Sequence, residues 1–139
     1  MEVHAYLTFP GTCAQAVLFY KQTLGAEIVA SHSFRGTPAA EGLAAEHLDR
    51  IMHTSFKIGP TLLMASDTMP GHPYDGMKGV SLSINTKDPG EAERVFRALA
   101  EGGQVTMPLG DQFWGAKFGM LVDKFGIAWM VNCDLPKPS

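Results

Sequence analysis

A chain of 139 residues, 45% of them hydrophobic, can bury a core without disulfide staples and fits one domain or two small modules sharing a core. Eleven Lys and Arg against fourteen Asp and Glu leave a net charge of -3, which offers nucleic acid no electrostatic footprint, and no basic run suggests a membrane surface. No apolar stretch approaches the roughly 20 residues that span a bilayer, Met1-Glu2-Val3-His4 lacks the character of a signal peptide, and Cys13 and Cys133 show no metal-like spacing. Together these features predict a cytoplasmic protein with two reduced thiols.

Taken in chain order, Val3 to Phe9 reads as a strand. A helix follows from the capping-box pattern Thr12-Cys13-Ala14-Gln15, in which the Thr hydroxyl covers a free N–H and Gln15 reaches back. Cys13, Ala16, Val17, Tyr20 and Leu24 recur at helical spacing, and Gly25 supplies the left-handed residue that ends it. Strands are predicted at about Ile51 to Ile58 and Thr61 to Ser66, joined by Gly59-Pro60. Asp67 to Lys78, rich in Pro and Gly, is the linker. Beyond it the pattern restarts, with a strand over Gly79 to Asn85 and a helix opened by Asp88-Pro89-Gly90-Glu91, striped by Ala92, Val95, Phe96 and Leu99 and stopped by Gly102. Two further strands, about Lys117 to Val122 and Ile127 to Asn132, flank the turn Asp123-Lys124-Phe125-Gly126.

The two halves are copies of one βαβββ unit, about 1–67 and 79–134, within a single domain spanning 1–139. Each helix is followed by Gly, a small residue, a polar residue and a β-branched one: Gly25-Ala26-Glu27-Ile28 and Gly102-Gly103-Gln104-Val105. The first copy carries an insertion, for which Arg35 to Arg50 is the candidate, as a loop or lid. One helix on a short mixed sheet cannot bury its face alone, so the copies are expected to pack together.

Several segments are similar to a known family: Ala5-Tyr6-Leu7-Thr8-Phe9-Pro10-Gly11, Phe19-Tyr20-Lys21, Leu24-Gly25-Ala26-Glu27, Met52-His53, Met64-Ala65-Ser66-Asp67, Phe113-Trp114, and Asp123-Lys124-Phe125-Gly126-Ile127-Ala128-Trp129-Met130. In order and spacing they resemble PhnB-like proteins of the vicinal oxygen chelate (glyoxalase, bleomycin-resistance and dioxygenase) superfamily. Ala5 departs from the Pro usual there. The resemblance implies an α+β fold of two tandem βαβββ modules, each sheet curled into a cup, in a homodimer. The name attached to such proteins, demethylubiquinone methyltransferase, finds no glycine-rich strand–turn–helix here to seat a methyl donor.

In metal-dependent members of the superfamily the first and last strands of each copy each give one ligand, with His, Glu or Gln as donors. Here those positions fall on His4, on a residue between Gly79 and Ser81, and on Met64 and Met130. Thioethers are soft donors, poor for the iron, manganese, nickel or zinc used by such enzymes. No cofactor is therefore expected; a divalent metal, if present, would use His4, His53 and Asp67.

His53 has two readings, a polar group or general base inside the first cup, or a histidine hydrogen-bonded across the sheet; alternation puts it beside Ser55 and Lys57. Phe113 and Trp114 could line a pocket or pack the second copy's core. Met64, Trp129 and Met130 are expected to floor the cups as adaptable apolar surface. Asp67 reads as a turn former bonding local backbone N–H groups, and Cys13 as structural packing. The preferred function is metal-independent binding of a small organic molecule by His53, Met64, Phe113, Trp114, Trp129 and Met130. The alternative is an atypical metal-dependent lyase, isomerase or dioxygenase; convergence of His4 and His53 would favour it.

Overall fold

In the computed structural model, described here for residues 1–136, the chain divides into two compact units, Met1–Asp75 and Gly76–Ser139. The division falls within the Pro/Gly-rich segment between the two sequence repeats. Among the described residues no helix is long and apolar enough to cross a membrane.

The first unit runs β1 (Tyr6–Phe9), α1 (Cys13–Leu24), β2 (Glu27–Ser33), β3 (Ile51–Ile58) and β4 (Thr61–Asp67). Its sheet order is β1-β4-β3-β2, with β1 parallel to β4 and the other pairs antiparallel. The second unit repeats this as β5 (Leu82–Thr86), α2 (Pro89–Ala100), β6 (Gln104–Asp111), β7 (Ala116–Val122) and β8 (Ala128–Asp134), in the order β5-β8-β7-β6. Both βαβββ modules are thus present. The first strand of each is shorter than expected from the sequence, because the residues before Tyr6 and Leu82 lie outside the ladder.

Each helix lies on one face of its own sheet, and alternation sorts the strands accordingly. In the first unit Leu7, Phe9, Phe56, Leu63 and Ala65 are buried on the α1 side, against Val17 and Tyr20; Tyr20 stacks on Phe56 at 6.2 Å. In the second, α2 buries Ala92, Val95, Phe96 and Leu99, and Leu121, Trp129, Val131 and Cys133 are buried on the strands. Gly119 leaves room for α2 to pack on this sheet, since a Cβ there would stand 2.7 Å from the Phe96 ring.

The helix punctuation reads mostly as written in the sequence. Gly25 is left-handed at φ 68° and closes α1, its N–H donating to the Lys21 carbonyl while Ala26 N donates to the Tyr20 carbonyl. Asp88 caps α2 by accepting from Gly90 N at 3.0 Å. The capping box at Thr12 does not form: Thr12 makes no side-chain cap. Asp67, at the end of β4, reaches across instead. Its Oδ1 accepts from Gly11 N at 3.0 Å and Cys13 N at 2.8 Å, and its Oδ2 accepts from Ile51 N at 2.8 Å. Asp67 is therefore not a local turn former. It is a buried tie between β4, the start of α1 and the start of β3, 5% exposed. A carboxylate outcompetes a hydroxyl here because ionised acceptors make the stronger bonds.

The insertion after β2 is pinned to the first unit. Phe34 N and Arg35 N donate to the Arg50 and Leu48 carbonyls, Phe34 is buried, and short 3-10 turns occupy Pro38–Ala40 and Ala45–His47.

Candidate functional site

The face of each sheet opposite its helix carries His53, Met64 and Met130 among the residues singled out from the sequence, and each face is described by itself. Strand pairing fixes its rows. In the first unit Tyr6 is in register with Met64, Met64 with Ser55, and Ser55 with Ala30. In the second, Ser83 is in register with Met130, Met130 with Met120, and Met120 with Met107. The second open face thus has three half-buried methionines side by side across β6, β7 and β8. Matching Tyr6–Met64 to Ser83–Met130 also settles the uncertain position in the repeat: the counterpart of His4 is Ser81.

Around the methionine row, Phe118 lies on the same face by alternation, with Asn132 as its partner on β8. Trp114 packs its ring edge-on against Phe118 at 5.9 Å, and Phe113 packs against Trp114 at 5.1 Å. Neither loop aromatic is core: Trp114 is 52% and Phe113 96% exposed. Trp114 borders the open face through Phe118, whereas Phe113 touches it only through Trp114. Trp129 does not floor this face. It alternates with Met130, points to the α2 side, is 3% exposed, and donates its indole N–H to Asp123 Oδ2 at 2.8 Å. Asp123 Oδ1 takes Phe125 N at 2.8 Å and Ile127 N at 3.1 Å, so a buried carboxylate ties the last turn as Asp67 ties the first helix.

On the first unit's open face the central feature is a pair. The Tyr6 hydroxyl lies 3.0 Å from His53 Nδ1, with the rings 5.7 Å apart and tilted by 37°. His53 shares its face with Ser55 and Lys57, as alternation requires, and is the Cα partner of His32 on β2. Tyr6 was legible by the same alternation, because Leu7 and Phe9 turn to the helix.

The three residues named as possible metal ligands are held apart in function. His4 Nδ1 lies 3.1 Å from the Leu62 carbonyl, to which it must donate, and Nε2 lies 3.1 Å from Glu2 Oε2. His53 engages Tyr6. Asp67 lies on the helix face of the sheet, opposite His53, with its oxygens committed to backbone N–H groups. Among the described residues no group of three or more His, Cys, Asp or Glu is placed to hold a metal ion. With Met64 and Met130 at the last-strand positions, the donor set does not fit the superfamily's metal.

Cys13 is fully buried at the start of α1. Burial, and then the charge of Asp67, push its thiol from 9.0 up to about 12, which makes it inert rather than activated.

Residues 1–132 match the family described as 3-demethylubiquinone-9 3-methyltransferase. The chain belongs to this family. Protein YjdN of Escherichia coli K12 is 32% identical over 147 aligned residues, which take in 100% of this chain and 99% of YjdN. Among solved structures, PA1353 of Pseudomonas aeruginosa is 47% identical with a TM-score of 0.87, covering 98% of this chain and 99% of its own. A Bacillus cereus PhnB protein, titled a putative 3-demethylubiquinone-9 3-methyltransferase, is 26% identical with a TM-score of 0.80, covering 98% and 100%. The PhnB-like assignment accounts for the paired modules and for the order of the motifs in them.

Proposed function

We propose that this PhnB-like protein binds a small organic molecule on the open face of its sheets without help from a metal. The observation that carries the reading is the Met107–Met120–Met130 row, bordered by Phe118 and Trp114. Unbranched thioether side chains conform to irregular apolar shapes, and an adjoining pair of aromatic rings supplies rigid contact area. Ser83, Asn85 and Asn132 give the rim hydrogen-bonding capacity. On the first unit's face, His53 is the polar anchor beside Met64.

The metal-dependent alternative requires His4, His53 and Asp67 on one centre, and each is committed to a different partner. Nor does the methyltransferase name find a cradle in the first βα turn. Asp67 takes the N–H groups of Gly11 and Cys13, and Arg50 lies over Gly11, where a Cβ would meet its Nη2 at 3.1 Å.

A thermal-shift screen of small organic compounds in the presence of a chelator tests the proposal. Hits should raise the melting temperature of the wild type, with the shift lost in Met120→Gln, which keeps the length of the side chain and makes it polar. Hits that appear only when a divalent metal is added, or that ignore Met120→Gln, would count against it.

A further inference from the structure

The Tyr6–His53 pair constrains what the first unit can recognise, an inference that rests on the binding reading above. A phenol O–H is a stronger acid than a neutral imidazole N–H, and an imidazole sp2 nitrogen is a better acceptor than a phenol oxygen. Across 3.0 Å, Tyr6 therefore donates to His53 Nδ1. A neutral ring that accepts at Nδ1 carries its hydrogen on Nε2. Among the described residues Nε2 has no hydrogen-bond partner of its own. Lys57 and Glu27, Cα partners on β3 and β2, bring opposite charges to this face, so no net charge is presented there for an ionic ligand.

We infer that the first unit's open face takes a molecule bearing a neutral carbonyl oxygen (a ketone, ester or amide), seated on the His53 Nε2–H, with its apolar part over Met64 and Leu62. Tyr6 is a positioning residue: it fixes the tautomer that makes His53 a donor. Ligands that offer only donors gain nothing from the Nε2–H, which then stays with water, so the preference for an acceptor is about the worth of one hydrogen bond.

The test uses the full chain and two matched probes, acetophenone and ethylbenzene, which differ in the oxygen. Long-range nitrogen–proton NMR of His53 reads the tautomer directly. The expected result is the Nε2–H form in the wild type and a mixture of tautomers in Tyr6→Phe. Acetophenone should perturb His53 Nε2 and bind about three- to tenfold more weakly to Tyr6→Phe, the loss expected for one hydrogen bond made less often. It should lose its preference over ethylbenzene in His53→Ala. An Nδ1–H tautomer in the wild type would overturn the inference. Equal binding of both probes, unchanged in His53→Ala, would overturn it while leaving apolar binding intact. No perturbation of either unit by either probe would sink the binding reading as well.

Discussion

Replacing Asp67 by Ala should be among the most damaging single changes in the first unit. Its two oxygens accept three backbone N–H bonds of 2.8–3.0 Å from Gly11, Cys13 and Ile51, at 5% exposure. Bonds to a charged acceptor are worth about 1.5–3 kcal/mol each, and an abandoned buried donor costs about 1–3 kcal/mol. The three bonds share one side chain and do not add independently, so a loss of about 3–5 kcal/mol is expected. At this chain length that corresponds to a fall in melting temperature of roughly 10–20 °C. Asp67→Asn should fall between, because one amide oxygen can still accept while the NH2 group meets a donor. Urea and thermal unfolding followed by circular dichroism read both variants, with and without added divalent metal. A loss below about 1 kcal/mol for Asp67→Ala, or a loss seen only when metal is present, would refute the assignment of Asp67 as a backbone tie.

The buried Cys13 thiol gives a pH dependence of known sign. Its folded value of about 12 lies above the ordinary 9.0, so above pH 9 the unfolded chain gives up a proton that the folded chain keeps. Stability falls as pH rises through that window by up to about 1.4 kcal/mol per unit; urea unfolding at pH 8 and 10.5 should show a loss about 2 kcal/mol greater in the wild type than in Cys13→Ala. Gly119→Ala puts a Cβ 2.7 Å from Phe96 and 2.8 Å from the Leu109 Cα; overpacking of this kind should cost about 1–3 kcal/mol in equilibrium unfolding. Gly25→Ala meets nothing within 4 Å and pays only for φ +68°, about 1–2 kcal/mol. Trp129→Phe removes the indole donor from Asp123 and should cost about 1–3 kcal/mol, yet leave thermal-shift hits unchanged, because Trp129 faces α2.

Much of the architecture was legible in the sequence because its signals are local. The Gly25 and Gly102 stops, the Asp88-Pro89 cap and the matched strand runs each depend on neighbours within a few residues. One departure comes from a long-range contact. Thr12 has the local pattern of a capping box, but a residue 55 positions away supplies a stronger acceptor, and no local reading sees Asp67 arrive. For Trp129 parity decides against aromatic character: alternation with Met130 sets the two on opposite faces, and Trp129 is buried against α2. The Met107–Met120 part of the row depends on strand register, since β6 pairs with β7 through irregularities that spacing alone does not reveal.

The most direct test of the central claim is calorimetric titration of the untagged, chelator-treated protein with zinc, manganese, nickel and iron(II). The account predicts no saturable binding at micromolar concentrations, because His4 and Asp67 are spent on separate partners, His53 turns a protonated Nε2 outward, and Met64 and Met130 occupy the last-strand positions. One tightly bound metal per chain, lost on His4→Ala or His53→Ala, would contradict it.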